Sequence, residues 1–284
     1  MLAAYHQLKL PITFDPFKVL VASLWLVSFG LLAKDKNIEQ ESWQRYFDAY
    51  QATGTVVILD SRTGVNKRWV YNPSRAKKAY SPASTFKIPH SLFALDAGLV
   101  KDEFQVFTWD GVKQSYSLHN QDQNLRSAMR HSAVWVYDAF AKQLGYEKSL
   151  RYLQKLQYGN SDPQTEQGSY WIEGNLAISA QQQIDFLAQL HKNKLPFKIE
   201  HQLLVKDLLV NEAGSYQGND WILRAKTGWQ GKYGWWVGWV EWPDGAVYFA
   251  LNIDTPNRGK DLFKRKAIVK DILRAINALP EVAI

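Results

Sequence analysis

The nonapeptide "GWWVGWVEW" at residues 234–242 constrains the fold of this chain more than any other stretch. Successive side chains of a strand point to opposite faces. Here both alternate sets are apolar: Trp235, Val237 and Trp239 on one side, Trp236, Val240 and Trp242 on the other. Such a strand must lie between two covering layers, so the chain needs a sheet with something packed on each face. Neighbouring runs supply the sheet. "WILRAKT" precedes the strand, "AVYFALNI" follows it across the turn "PDG", and "GTVVILD" and "KRWVYN" read as a hairpin around "SRTG".

The covering helices come from three regions. "EQESWQRYFDAY" carries Trp43, Phe47 and Tyr50 on one stripe, and "DLFKRKAIVKDILRAINAL" closes the chain as a second helix. From Ser84 to about Val210 the pattern is helical, interrupted by loops at "FTWDGVKQSYSLHNQDQN" and "YGNSDPQTEQGSYW". The expected fold class is α+β: an antiparallel sheet with the first and last helices on one face and an all-helical insertion on the other. One domain is expected over residues 34–284, its sheet part at about 40–80 and 215–284 and its helical part at about 84–210.

Residues 1–33 stand apart as a signal peptide or N-terminal extension. An apolar run from Val19 to Ala33 follows Lys18. It is short of the roughly 20 residues of a membrane span and suits the apolar stretch of a secretory signal. Cleavage is expected after Ala33, with Gly30 as the rival position; an uncleaved anchor or a start codon placed too far upstream are the alternatives. Export is therefore expected. The 284 residues contain no cysteine, which agrees with export and excludes thiolate catalysis, disulfides and thiolate metal sites. The six histidines show neither H-E-x-x-H nor H-x-H spacing, so no metal is expected. A net charge of +7 without a long basic run favours small anionic ligands over nucleic acid.

Chemistry first suggests itself in "SPASTFKIPH", where Ser84 and Lys87 are spaced to share one face of a helix start. Taken alone, the pair reads first as a capped helix with a solvated lysine. Its neighbours Phe86, Ile88, Leu92 and Phe93 make partial burial of Lys87 the sharper reading. Burial disfavours an ammonium and turns a lysine into a usable base. Two more elements follow along the chain. "HSAVWVY" offers Ser132, and "RAKTGWQG" offers Lys226, Thr227 and Gly228 at a strand end. A cation and a hydroxyl there suit an anionic ligand, and the glycine permits close backbone approach. In this order, S-x-x-K, S-x-V and K-T-G mark the serine acyl transferases that recognise penicillin.

With "STFK" at 84–87, "SAV" at 132–134, "YGN" at 158–160, "YWIEG" at 170–174 and "KTGW" at 226–229, the chain resembles the class D serine β-lactamases, or oxacillinases. "HNQDQNLRSAMR", "GWWVGWVEWP" and "ALNIDTPNR" extend the resemblance to their plasmid- and integron-borne group, over about residues 40 to 280. The resemblance implies Ser84 as the acylated nucleophile. It implies Lys87 carbamylated by carbon dioxide to N6-carboxylysine, serving as general base in both half-reactions, with no metal or organic cofactor. Trp171 would donate its indole N–H to that carbamate. Ser132, supported by Lys226, would pass a proton to the β-lactam nitrogen. Thr227 and an arginine from the last helix would bind the drug's carboxylate; Arg265 is chosen by position, with Lys264 and Arg258 as rivals. The backbone N–H groups of Ser84 and Trp229, beside Gly228, would form the oxyanion hole. Val134 and Ile172 would screen the carbamate from water, and Tyr158, Gly159 and Asn160 would shape the wall. Ala133 inside S-x-V and the tryptophan after K-T-G depart slightly from many relatives.

The expected partners are small β-lactam substrates, with no nucleic acid and no obligate protein partner, in a monomer or homodimer. Three other functions compete. A penicillin-binding transpeptidase or carboxypeptidase would carry S-x-N rather than valine at 134. A β-lactam sensor domain would stay acylated instead of turning over. A tryptophan platform for sugar or single strands would expose the six Trp between 221 and 242, which core packing explains better.

Overall fold

A computed structural model describes residues 37–281. The apolar run at 19–33 and both cleavage positions lie outside these residues. Seven strands form one sheet: β1 Ile38–Glu39, β2 Gly54–Asp60, β3 Lys67–Tyr71, β4 Val210–Tyr216, β5 Asn219–Trp229, β6 Tyr233–Trp242 and β7 Gly245–Asp254. Their order is β1-β3-β2-β7-β6-β5-β4, antiparallel except where β1 lies parallel to β3.

The doubly apolar strand β6 is fully sandwiched. Trp235, Val237 and Trp239 enter one core with Phe86, Phe93, Tyr137 and Trp171. Trp236 and Val240 enter a second core with Trp43, Phe47, Ile268, Val269 and Ile272. Each such side chain taken out of water stabilises the fold by about 1.5–3 kcal/mol, and both cores depend on the one strand. The second core is closed by α1 Gln44–Ala49 and the last helix, α8 Lys264–Ala275. The first is closed by the middle of the chain: α2 Pro73–Lys77, α3 Lys87–Asp96, α4 Leu125–His131, α5 Val134–Leu156, α6 Ala180–His191 and α7 Ile199–Leu208.

The structure adds three features to the sequence expectation: the two-residue strand β1, parallel to β3 where an antiparallel sheet is expected, the strand β4, and a break in α5. Strand β4 was not anticipated, because "VNEAGSY" has no apolar alternation. It is an exposed edge held to β5 by ladder bonds, with an irregular register between Val210 and Glu212. The long α5 is broken at Gly145, whose φ of 69° and ψ of 173° leave the helical region.

Candidate active site

Ser84 lies in the short 3-10 turn Ala83–Phe86, which runs directly into α3. The turn is stitched to the loop that carries Trp171. Ser81 Oγ and the Ala83 N–H both donate to the Trp171 carbonyl, at 2.8 and 2.9 Å. The Trp235 indole N–H donates to the Ser81 carbonyl at 2.9 Å, tying the turn to the sheet. Ala83 holds a left-handed φ of 47°, a conformation that costs a non-glycine residue energy and persists only where the surroundings enforce it.

Lys87, the first residue of α3, has no solvent exposure. Its Nζ donates to Ser84 Oγ at 3.3 Å and stands 4.9 Å from the Tyr137 ring centroid. Burial pushes its pKa down to about 7, against a smaller pull upward from the Asp138 carboxylate. The amine is therefore neutral in a large share of molecules near neutral pH.

Ser132 caps α4 in a left-handed conformation (φ 59°), so the chain reverses there before α5 begins. The Nζ of Lys226 donates to Ser132 Oγ and, at 3.0 Å, to the Thr227 carbonyl. Burial holds Lys226 well below its ordinary pKa, and the cations Lys87, Arg265 and Lys266 push the same way. The register of β5 against β6 pairs Lys226 with Val237 and Thr227 with Trp236. Strand alternation thus turns Lys226 toward the helical layer and Thr227 toward α8. At Gly228 a Cβ would lie 2.9 Å from the Pro82 carbonyl and 3.1 Å from Thr85 Cγ2, so only glycine lets β5 press this closely on the Ser84 turn.

Arg265 crosses from α8 to the same place. It is buried, and its Nη1 donates to the Gly228 carbonyl at 2.7 Å while its Nε donates to Leu262 at 2.8 Å. Burial lowers its pKa to about 10. Its path runs over Gly234, where a Cβ would stand 2.7 Å from Arg265 Cδ. The rivals are placed elsewhere: Lys264 pairs with Asp261 at 2.8 Å, and Arg258 is exposed in a turn before α8. Trp229 is half-buried, its indole N–H donating to Thr255 Oγ1 at 3.2 Å.

Trp171 is completely buried, stacks on Phe86 at 5.7 Å between centroids, and meets His90 edge-on at 5.0 Å. Its indole N–H has no hydrogen-bond partner. A buried donor left unpaired costs about 1–3 kcal/mol. Val134 opens α5 half-buried, and half-buried Ile172 packs on the core that holds Phe86 and Tyr137. Tyr158 packs on Phe86, and Asn160 binds the Asn175 carbonyl and the Ala177 N–H at 2.8 and 3.0 Å. Those residues brace the loop from which Trp171 projects.

These contacts join the S-x-x-K turn to Trp171, Tyr158 and the K-T-G strand, and the K-T-G lysine to Ser132. The family model of the penicillin binding protein transpeptidase domain matches residues 54–274. β-Lactamase OXA-2 of Salmonella typhimurium is 60% identical over 264 residues, 93% of this chain and 94% of that protein. β-Lactamase OXA-20 of Pseudomonas aeruginosa is 61% identical over 262 residues, 92% and 97% of the two chains. The solved structure of FUS-1 (OXA-85), a class D β-lactamase from Fusobacterium nucleatum subsp. polymorphum, superposes with a TM-score of 0.80 at 36% identity, covering 86% of this chain and all of that one.

The chain belongs to the class D β-lactamases. Within the class it falls in the OXA-2 group. Sequence reasoning missed three side chains around Lys87: Asp138, Ser169 and His90. Asp138, on α5 one turn after Val134, accepts a hydrogen bond from Ser169 Oγ at 2.5 Å and is the carboxylate that acts on Lys87. Its spacing from Val134 was a usable signal, since residues four apart share a helix face. Ser169 carried none, because it meets Asp138 only through the path of its loop. His90, one turn after Lys87, is buried with both ring nitrogens unpartnered; burial and the Lys87 charge push its pKa down to about 3, so it stays neutral.

Proposed function

We propose that this class D β-lactamase opens the β-lactam amide of penicillins and related antibiotics through an acyl-enzyme on Ser84, with carbamylated Lys87 as the general base. The single observation that carries the mechanism is the fully buried Lys87 amine, held near a pKa of 7 and 3.3 Å from Ser84 Oγ. A neutral amine adds carbon dioxide to give a carbamate and a proton, converting a potential cation into an anionic base. The unpartnered indole N–H of Trp171 fits that new acceptor.

The contacts of the site support the remaining roles. Lys87 takes the Ser84 proton as Oγ attacks the carbonyl carbon, and later takes a proton from the water that releases the product. Ser132, hydrogen-bonded by Lys226, passes a proton to the departing ring nitrogen. Backbone N–H groups of Ser84 and Trp229 meet the developing oxyanion. Thr227 and Arg265 hold the ring carboxylate beside Gly228, where a guanidinium can form two parallel bonds. Val134 and Ile172 keep bulk water from the base.

Turnover of a chromogenic cephalosporin by the chain from Lys34, with and without bicarbonate, tests this reading. Many turnovers, rising with bicarbonate, support it. A single stoichiometric burst indifferent to bicarbonate would make the protein a penicilloyl-binding protein. The apolar run behind Lys18 and the lack of cysteine further support export to the periplasm; activity retained in spheroplasts after periplasmic release would refute it.

A further inference from the structure

A cleft of about 450 Å³ is lined by Lys226 and Thr227 together with the end of α4, the end of α7 and the start of β4. Its charged lining is uneven. Arg126 is neutralised by both Glu103 and Asp207. Arg130 and Lys266 also line the cleft, both are exposed, and neither forms an ion pair among the described residues. Buried Lys226 lines the same cleft, likewise without a carboxylate partner among the described residues. Asn211 completes the polar wall, its Nδ2 spent on the Leu209 and Ala225 carbonyls.

We infer that this cleft is a second anion subsite, selecting β-lactams that carry an additional negative group on the ring carbon next to the carboxylate. The inference rests on the proposed function, which places the ring carboxylate at Thr227 and Arg265. The acyl arm of a β-lactam is attached beside the attacked carbonyl, at the Ser84 end. A substituent next to the carboxylate leaves from the Thr227 end, where the cleft begins. One carboxylate already meets Thr227 and Arg265, so the unpaired charges of Arg130 and Lys266 remain for a second. Both cations are solvated, so their effect is modest, additive and sensitive to salt.

The test uses two cephalosporins that differ only in that substituent, ending in a carboxylate in one and in its primary amide in the other. Arg130→Gln, Lys266→Gln and the double variant are compared with the unaltered protein. The ratio of kcat/KM for the carboxylate over the amide compound should fall about threefold in each single variant and about tenfold in the double, through KM. In the unaltered protein the ratio should fall as salt rises from 20 to 500 mM, about as far as in the double variant. An unchanged ratio overturns the inference. So does an equal loss for both compounds, which would mean that the cations act through Lys226. If the unaltered protein turns over neither compound, the proposed function has failed instead.

Discussion

Lys87 Nζ reaches Ser84 Oγ across 3.3 Å from a position with no solvent exposure, so an amine beside the serine hydroxyl lies inside the core. A charged lysine there is expensive and a neutral one is reactive. The catalytic predictions follow from that relationship.

Lys87→Ala should leave Ser84 acylated and unable to shed its product. Mass spectrometry after mixing with a penicillin should show one adduct per chain that persists for hours. Steady turnover should drop by about 10²- to 10⁴-fold, the ordinary contribution of a general base. Turnover equal to that of the unaltered protein would remove Lys87 from the mechanism.

Bicarbonate and pH should act together. The Lys87 pKa is lowered by burial from 10.5 to about 7, so the amine that adds carbon dioxide is present above pH 7 and protonated below it. Activity should fall as pH drops through 7, and added bicarbonate should restore more of it at pH 6.5 than at pH 8. Stability follows the same group. Between about pH 7 and 10.5 the unfolded chain holds a proton on this amine that the folded chain lacks, so the lysine's contribution to stability rises with pH across that window. A profile flat from pH 6 to 8 with no bicarbonate response would count against a titrating Lys87.

Lys87→Met should stabilise the fold while abolishing turnover. Methionine fills a similar volume without a buried amine, and active sites commonly hold stability in reserve of this kind. In bicarbonate-free buffer at pH 7, a gain of about 1–2 kcal/mol, or a few degrees in Tm, is expected for a domain of this size. A lower Tm would mean that the amine's contacts with Ser84 and Tyr137 outweigh its desolvation.

Trp171→Phe separates packing from chemistry. Phenylalanine keeps an aromatic face against Phe86 but removes the unpartnered N–H. The bicarbonate concentration for half-maximal activity should rise severalfold, while Tm falls by only a few degrees. A large loss of Tm with an unchanged bicarbonate requirement would make Trp171 a core residue alone.

Arg265 should be sensitive to a residue that never touches substrate. At Gly234 a Cβ would stand 2.7 Å from Arg265 Cδ, so Gly234→Ala displaces the guanidinium from the Gly228 carbonyl. Its KM for penicillins should rise about as far as that of Arg265→Ala, roughly tenfold, as expected for one lost charge-assisted contact. If Gly234→Ala raises KM and Arg265→Ala does not, the carboxylate is held by another group.

Hydrophobic patterning by itself determined the sheet, its two covers and the helical middle, because alternation in "GWWVGWVEW" is a local property that any packed solution must satisfy. Motif spacing likewise brought forward Ser84 with Lys87, which are three residues apart and joined by one turn. The edge strand β4 escaped, since a strand exposed on both faces needs no apolar pattern and exists only through its ladder to β5. Tertiary structure alone decided which cation reaches the K-T-G strand: Arg265, Lys264 and Arg258 are equivalent as charges, and only the missing side chain at Gly234 opens a path for one of them. It also decided that Ser169 meets Asp138 and that Trp171 keeps an unpaired donor. Those facts depend on how a loop far along the chain lies against α5, and no pattern within either segment encodes a distance between the two.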